Sequence, residues 1–474
     1  MSEVTTFTID TAVATAHRDE ILDYVYKYYL LPKHDNFGFI KREYKENGLN
    51  LYFTGFKLEE GWRVEIEMES GSPIVVKMKW DEVTPEKFIK TIKEDLILAV
   101  QFYHENVRQS TLYFAWVEGE DIIPEQPPSS RKKLSDRLFG SNLLFIYILF
   151  FGVNILLLLL LGLRFAIVAI IVLQLVIVVF SDRIYLRGNN WRITESNPYV
   201  HILEYQLPVQ EFKEFKEKFG KEIVTQMKKD IYDKTLAVGQ EPTCELGESI
   251  FENYGFKCSP ETRLVKKVDV YNIVKTAAEK FELPIPKIVI SNTMVPNAAA
   301  TGPSPSRGLV LITTGLLVSL EDDEILSVLG HEMGHLKGRD PIVLFSIISG
   351  EFILRFTLFF PIVILNPILY IIVVMALIFF VSKFFETRAD LVSAIKIGQP
   401  KVLAESLRKI GFSRLQMERT ASNNILQWLA WDPHPPLYFR IERLDKMETP
   451  VKVKHPLIQS AKDVFIGFKH SFRR

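Results

Sequence analysis

The residues that speak first for chemistry are His331-Glu332-Met333-Gly334-His335. On a helix, residues four apart lie one turn above each other on the same face. Both imidazoles can then ligate one ion, and Glu332 sits beside them to take a proton from an activated water. By composition alone such a string arises in roughly one chain in a hundred of this size. Its surroundings predict a helix, which cuts the odds of coincidence further. Ser319 is placed as N-cap, with Asp322 completing a capping-box-like start. Acids from 321 to 324 fill the first turn, where the helix dipole favours them. Ile325, Leu326, Val328 and Leu329 supply apolar packing. The alternative is two histidines paired by accident on a surface helix.

Two histidines leave a catalytic zinc site one protein ligand short, with the fourth position kept for water. Downstream, Phe385-Glu386-Thr387-Arg388-Ala389-Asp390 sets two acids on one helical face. Glu386 can serve as the third ligand. Asp390, one turn on, can accept a hydrogen bond from the far nitrogen of a ligating histidine. The alternative is an ordinary acidic pair. Asp340 before Pro341 reads as an N-cap with proline at the first helical position, outside the catalytic set.

These groups need elements to hold them. At 474 residues the chain is long enough for two or three domains. Lys+Arg and Asp+Glu are equal at 57, so net charge gives no argument for nucleic acid, and no nucleic-acid partner is expected. A hydrophobic fraction of 48% beside 24% charged residues suggests soluble domains plus a few membrane spans. Only Cys244 and Cys258 occur, which argues against a disulfide scaffold and for reduced thiols. The N-terminus shows no basic, then apolar, signal-peptide pattern, so it is expected to stay in the cytoplasm.

Residues 1–125 read as a soluble α+β domain of unassigned role. Helices are expected at 19–31 and 86–107, strands at 49–53, 62–69, 74–80 and 112–116. Residues 126–142 read as a linker carrying Arg131, Lys132, Lys133 and Arg137. The block 143–180 is apolar but for Asn154, Arg164 and Gln174. As one helix it would run about 57 Å, roughly twice the hydrocarbon core, so a hairpin turning near 162–164 fits better. Arg164 can snorkel to the far headgroups. Basic residues at both outer ends, Arg183 and Arg187 after it, put both ends in the cytoplasm. Residues 181–340 return to soluble composition, with helices at 209–236 and 268–281 and strands at 286–291 and 309–313. A second apolar block, 341–385, breaks at Asn366-Pro367 into a second hairpin. Its first half carries Glu351 and Arg355, a pair able to neutralise itself, which leaves open whether that half crosses fully. Residues 386–474 close the chain. Their tail sets Lys452, Lys454, Lys462, Lys469, Arg473 and Arg474 against Asp463. With Phe465, Ile466, Phe468 and Phe472 it suits either an anionic bilayer surface or a solvated basic tail.

If His331, His335 and Glu386 share one ion, the apolar block between them must leave the membrane on the side it entered. The metal then sits at the cytoplasmic face.

Gly330-His-Glu-Met-Gly-His-Leu-Lys-Gly-Arg-Asp340 with Glu386-x-x-x-Asp390 resembles the HtpX-type membrane metallopeptidases, gluzincins related to the CAAX prenyl proteases. Pro296-Asn297-Ala298-Ala299-Ala300-Thr301-Gly302 is similar to that family's Asn-Ala segment, where an edge strand pairs with substrate. Trp431-Asp432-Pro433-His434-Pro435-Pro436, with Arg440-Ile441, resembles its C-terminal signature. The resemblance covers about residues 265–445 and both apolar blocks, and leaves out the N-terminal domain. It implies one Zn2+ per chain, held by His331, His335 and Glu386, with Glu332 as general base. Asn297 and Ala298 would meet substrate, and Asp390 and Arg440 would support the ligands. His434 would donate to the developing oxyanion. Each has a structural alternative: Asn297 as plain loop chemistry, His434 as a helix cap, Arg440 as an ion pair.

The fold class expected is an α+β multi-domain membrane protein. Its metallopeptidase domain would be mainly helical and zincin-like, with a small edge-stranded sheet and about four transmembrane helices in two hairpins. The reaction expected is endoproteolysis of misfolded or damaged membrane proteins in the cell membrane, with the catalytic and N-terminal domains facing the cytoplasm. A CAAX-type processing peptidase and a non-catalytic metal-binding scaffold are the alternatives. Intact Glu332 and both histidines argue against the scaffold.

Overall fold

The computed structural model describes residues 2–9, 11, 13–14, 17–45, 48–57, 61–120, 143–186, 190–241, 243, 250–255, 260–420, 424–430 and 432–472. The linker with Arg131, Lys132, Lys133 and Arg137, then Arg187, Cys244, Cys258, Trp431, Arg473, Arg474 and the side chain of Arg164 lie outside them. Among the described residues the chain is mainly helical with three sheets, and it forms two compact units.

The first unit joins residues 1–116 to 201–267. Strands β1 (Ser2–Ile9), β2 (Phe37–Lys45), β3 (Gly48–Lys57), β4 (Trp62–Glu69) and β5 (Ile74–Asp81) build an antiparallel sheet in the order β1-β5-β4-β3-β2. β4 alternates buried and exposed residues along its length, the mark of a strand with one face on a core. Helices Arg18–Val25 and Glu86–Gln109 contribute Ile21, Leu22, Val25, Ile92, Leu96 and Val100 to that core. β1 and β2 were not expected from the sequence. Segment 201–267, which the sequence reading placed with the metallopeptidase part, clusters here. The cause is a three-stranded sheet of β6 (Thr111–Val117), β8 (Tyr199–Gln206) and β9 (Arg263–Asp269), with β8 central. The helix Val209–Lys234 runs from this sheet, and its Lys228 carbonyl accepts from the Trp116 indole at 3.1 Å.

The second unit joins 117–200 to 268–474. Its sheet runs β11-β12-β10-β7, from β7 (Trp191–Ile193), β10 (Lys287–Ser291), β11 (Ala298–Thr301) and β12 (Leu309–Thr313). β11 lies antiparallel to β12 at the sheet's edge, as the resemblance implied. The helix Asp322–Gly338 carries both histidines. Its N-cap is Glu321, not Ser319, and Glu324 completes the capping box by accepting from the Glu321 N–H at 2.9 Å. Ser319 belongs to a preceding short helix, Thr314–Ser319, and its hydroxyl donates back to the Gly315 carbonyl.

The long apolar helix Leu143–Val179 is broken at Gly162, which takes φ 67°. The break falls where the sequence predicted a turn, and left-handed backbone costs glycine nothing. In the second apolar block, Asp340–Phe356 and Phe360–Leu365 precede the helix Pro367–Lys396. Asn366 caps that helix by accepting from the Leu369 N–H. Among the described residues, Pro367–Lys396 is the one helix long and apolar enough to cross a membrane. Glu351 and Arg355 do pair, at 2.6 Å, and the Tyr370 hydroxyl adds a hydrogen bond to Glu351 at 2.8 Å.

Candidate metal centre

The site is made where two helices touch closely. Gly330, Gly334 and Gly338 recur every fourth residue on one face of the histidine helix. That face meets helix Pro367–Lys396. A Cβ on Gly334 would lie 3.1 Å from the Ala389 Cα, and one on Gly338 would run into the Arg388 guanidinium. The glycines therefore let the helix carrying Glu386 approach nearer than side chains would allow.

At this contact one nitrogen each of His331 and His335 and one oxygen of Glu386 come within 4.8 Å of one another. The two Nε2 atoms face each other at 3.1 Å, and each lies 3.4 Å from a Glu386 oxygen. His331 and Glu332 are buried, His335 and Glu386 half-buried. Behind them, His335 Nδ1 meets Asp340 Oδ2 at 2.7 Å. His331 Nδ1 lies 2.8 Å from Asp390 Oδ1, but too far out of line for a full hydrogen bond. Asp390 is held by Arg440 through two bonds of 2.7 and 2.8 Å, and Asp340 by Arg388 at 2.7 and 2.8 Å.

The arrangement suits a divalent cation. Two atoms on a tetrahedral zinc with ordinary Zn–N distances sit about 3.3 Å apart, close to the spacing of the two Nε2 atoms. Glu386 Oε2 is buried with no hydrogen-bond donor. Four carboxylates (Glu332, Glu386, Asp390, Asp340) surround the histidines against two guanidiniums, Arg388 and Arg440, a local excess of two negative charges. Burial alone would lower the pKa of His331, but Asp390 and Glu386 outweigh it and lift it to about 10. Burial pushes Glu332 above the ordinary carboxylate range, against the pull of both histidines and of a hydrogen bond from the Ala300 backbone. That bond sets Glu332 against the edge strand β11. At the start of β11, the backbone of Asn297 is locked to Thr313 in both directions, at 2.9 and 3.0 Å, while the residue itself is exposed.

His434 also reaches the cluster. Its Nε2 is 3.5 Å from Glu386 Oε2, and its Nδ1 is 3.0 Å from Asp432 Oδ1. The loop that carries it is clamped by residues the sequence reading passed over. Buried Lys383, one turn before Glu386, donates to the carbonyls of Asp432 (2.6 Å) and Ala430 (3.4 Å). Arg414 pairs with Asp432 at 2.9 Å and donates to the Pro435 carbonyl at 3.0 Å.

All the predicted polar groups other than Asn297 thus meet in one cluster, while Asn297 immediately precedes the adjoining edge strand and Ala298 opens it. Asp340 was missed because it does sit at a helix start. Arg339 before it takes left-handed backbone, φ 54°, and the following helix begins with the Asp340 carboxylate turned back to His335. Asp340→Asn is expected to weaken metal binding by about 10- to 100-fold, as loss of a carboxylate behind a ligating histidine does. Competition with a chromophoric chelator measures this. Unchanged affinity with only a small loss of thermal stability would reduce Asp340 to a helix-start residue.

A His-Glu-x-x-His helix, a distant glutamate brought beside it and an edge strand against its Glu332 define a metalloprotease. Comparison with known proteins makes the class specific. Residues 265–448 match peptidase family M48. The chain is 30% identical over 230 residues to a protease HtpX homologue of Thermodesulfovibrio yellowstonii, covering 41% of this chain and 79% of that one. It is 40% identical over 147 residues to protease HtpX homologue 2 of Methanosarcina acetivorans, covering 27% and 50%. The crystal structure of S. mikatae Ste24p aligns with a TM-score of 0.30 at 20% identity, over 36% of this chain and 49% of that one. The chain belongs to peptidase family M48 and is an HtpX-type metallopeptidase.

Proposed function

We propose that this protein is a membrane-embedded zinc endopeptidase that cleaves misfolded or damaged membrane proteins at the cytoplasmic membrane face. The observation that carries the reading is the convergence of His331, His335 and Glu386, one Glu386 oxygen beside each of two facing imidazoles and the buried Oε2 without a donor among the described residues. His331, His335 and Glu386 would hold one Zn2+. When bound, zinc supplies Lewis-acid chemistry, polarising the scissile carbonyl and making a water acidic. Glu332 takes that water's proton as its oxygen attacks, and passes it to the leaving amine as the C–N bond breaks. Asp340 and Asp390 orient the imidazoles, and Arg440 keeps Asp390 ionised and fixed. His434 faces the carbonyl oxygen. Its Nδ1 lies on Asp432, which orients the ring so that Nε2 would point to the oxyanion. An extended substrate adds to the outer edge of β11 from Asn297 and Ala298 onward, which presents its backbone alongside Glu332.

The membrane reading rests on where apolar side chains point. Leu159, Leu160, Phe165 and Val168 in the first apolar helix, and Ile368, Leu369 and Leu377 in the helix leading to Glu386, are all exposed. A soluble core helix would bury them, and exposed apolar surface of this extent marks a membrane contact. Two crossings or a re-entrant pair between His335 and Glu386 return the chain to one face. Glu351, Arg355 and Tyr370 satisfy one another within that block, which reduces the cost of burying the pair. Two hairpins, four spans and the first unit, residues 1–116 with 201–267, complete the proposed organisation.

Substrate class is tested with the full chain in proteoliposomes. An unfolded membrane protein should be cut by the wild type and left intact by Glu332→Gln. Preference for a prenylated peptide would instead favour CAAX-type processing.

A further inference from the structure

The C-terminal helix Pro456–Ser471 has three distinct sides. Ser460, Val464 and Ser471 are buried, facing the body of the unit. Gln459 and Asp463 form a polar side, with Asp463 held by Arg443 at 2.7 Å. The remaining side carries Ile458, Phe465 and, just beyond the last turn, Phe472, spaced seven apart. Seven residues are nearly two turns, so the three form one strip. They are 55%, 57% and 60% exposed, too open for core positions. Lys462 and Lys469, also seven apart, border the strip and make no ion pair with a described residue.

The strip does not end at the helix. Phe465 packs on Phe380 and Phe384, with ring centres 5.5 and 5.7 Å away, and Phe468 packs on Phe380 at 5.6 Å. Those phenylalanines close the apolar run of helix Pro367–Lys396, whose exposed Leu369, Val373 and Leu377 lie four residues apart on the way to them. Apolar surface therefore continues from the proposed span onto the C-terminal helix, one turn from Glu386.

We propose that Pro456–Ser471 is an in-plane membrane-surface helix. Its Ile458–Phe465–Phe472 strip sinks into the headgroup boundary of an anionic leaflet, while Lys462 and Lys469 contact lipid phosphates. This rests on the reading of Pro367–Lys396 as a span. An amphipathic helix with an aromatic apolar side and lysines at its border has the chemistry for that position. Continuity with the span and the unpaired lysines favour lipid over a protein partner. The helix then fixes the depth of the metal centre: Phe465 grips the helix that carries Glu386, so the cleft stays at the level of the headgroups.

The test uses full-length protein in nanodiscs, with Cys244 and Cys258 replaced by serine and spin labels placed singly at Ile458→Cys, Phe465→Cys, Phe472→Cys, Lys454→Cys, Leu369→Cys and Leu377→Cys. In discs containing phosphatidylglycerol, the ratio of collisions with lipid-dissolved oxygen to collisions with an aqueous nickel chelate should be severalfold higher at the strip than at Lys454. Should Phe465→Cys fail to fold, Ile458 and Phe472, without its rings on Phe380 and Phe384, decide the matter. A wet strip beside lipid-exposed Leu369 and Leu377 overturns the proposal alone. Wet labels at Leu369 and Leu377 overturn the membrane reading itself. A strip closed to both reagents means protein covers it, and also overturns the proposal. Replacing phosphatidylglycerol with phosphatidylcholine should lower the ratio at Phe472, and Lys462→Glu with Lys469→Glu should abolish that dependence. No dependence on lipid charge overturns the role of the lysines.

Discussion

Glu332→Gln is expected to keep its zinc and lose peptide hydrolysis by about 10²- to 10⁴-fold, the range a positioned general base contributes. The substitution keeps side-chain volume in a buried place, and the amide oxygen can still accept from the Ala300 backbone. His331, His335 and Glu386 are untouched, so metal content should match the wild type. What disappears is the carboxylate assigned to take a proton from water and return it to the amine. Metal analysis and cleavage of an unfolded protein by the same preparation separate the two roles. Undiminished cleavage would sink the mechanism. Loss of zinc along with activity would show that Glu332 works by holding the centre together.

The sequence disclosed this site where chemistry restricts residue type and spacing together. Histidines four apart with a glutamate between them allow few other uses, and Glu386-x-x-x-Asp390 supplies the missing ligand type at helical spacing. Tertiary direction was not legible. Asp340 followed by proline says helix start, and it is one; only the left-handed Arg339 turns its carboxylate to His335. The glycines at 330, 334 and 338 signal a close helix contact, but their spacing alone does not say which helix comes near; only the fold puts Ala389 and Arg388 against them. Lys383 sits at the end of an apolar run, where a lysine suggests a span boundary rather than a buried clamp on the His434 loop. In the first unit, β1 and β2 escaped because Thr-rich and Lys/Glu-rich runs show little apolar alternation. Their pairing with β5 and β3 decides them instead. The capping box appeared two residues late because Ser319 is committed to the helix before it.

Glu386→Ala should empty the centre, which tests the assignment that brings the two ends of the second apolar block together. The two imidazoles would remain, facing each other at 3.1 Å, but with no third protein ligand. Structural and catalytic zinc sites rely on three or four such ligands, and losing one lowers affinity steeply. After dialysis against buffer without zinc, the variant should hold a small fraction of the wild-type metal, and proteolysis should fall by at least about 10²-fold in step with it. Arg440 keeps its two bonds to Asp390, so the helices should stay packed and the loss should not be one of folding. Thermal unfolding checks this. The wild type should gain stability from added zinc, and Glu386→Ala should gain little at the same concentration, because only a bound ion shifts the folding equilibrium. Near-full zinc occupancy in the variant would exclude Glu386 as a ligand. It would also remove the reason for the chain to return to one membrane face between His335 and Glu386, and that topology would then stand only on the exposed apolar surface of Pro367–Lys396.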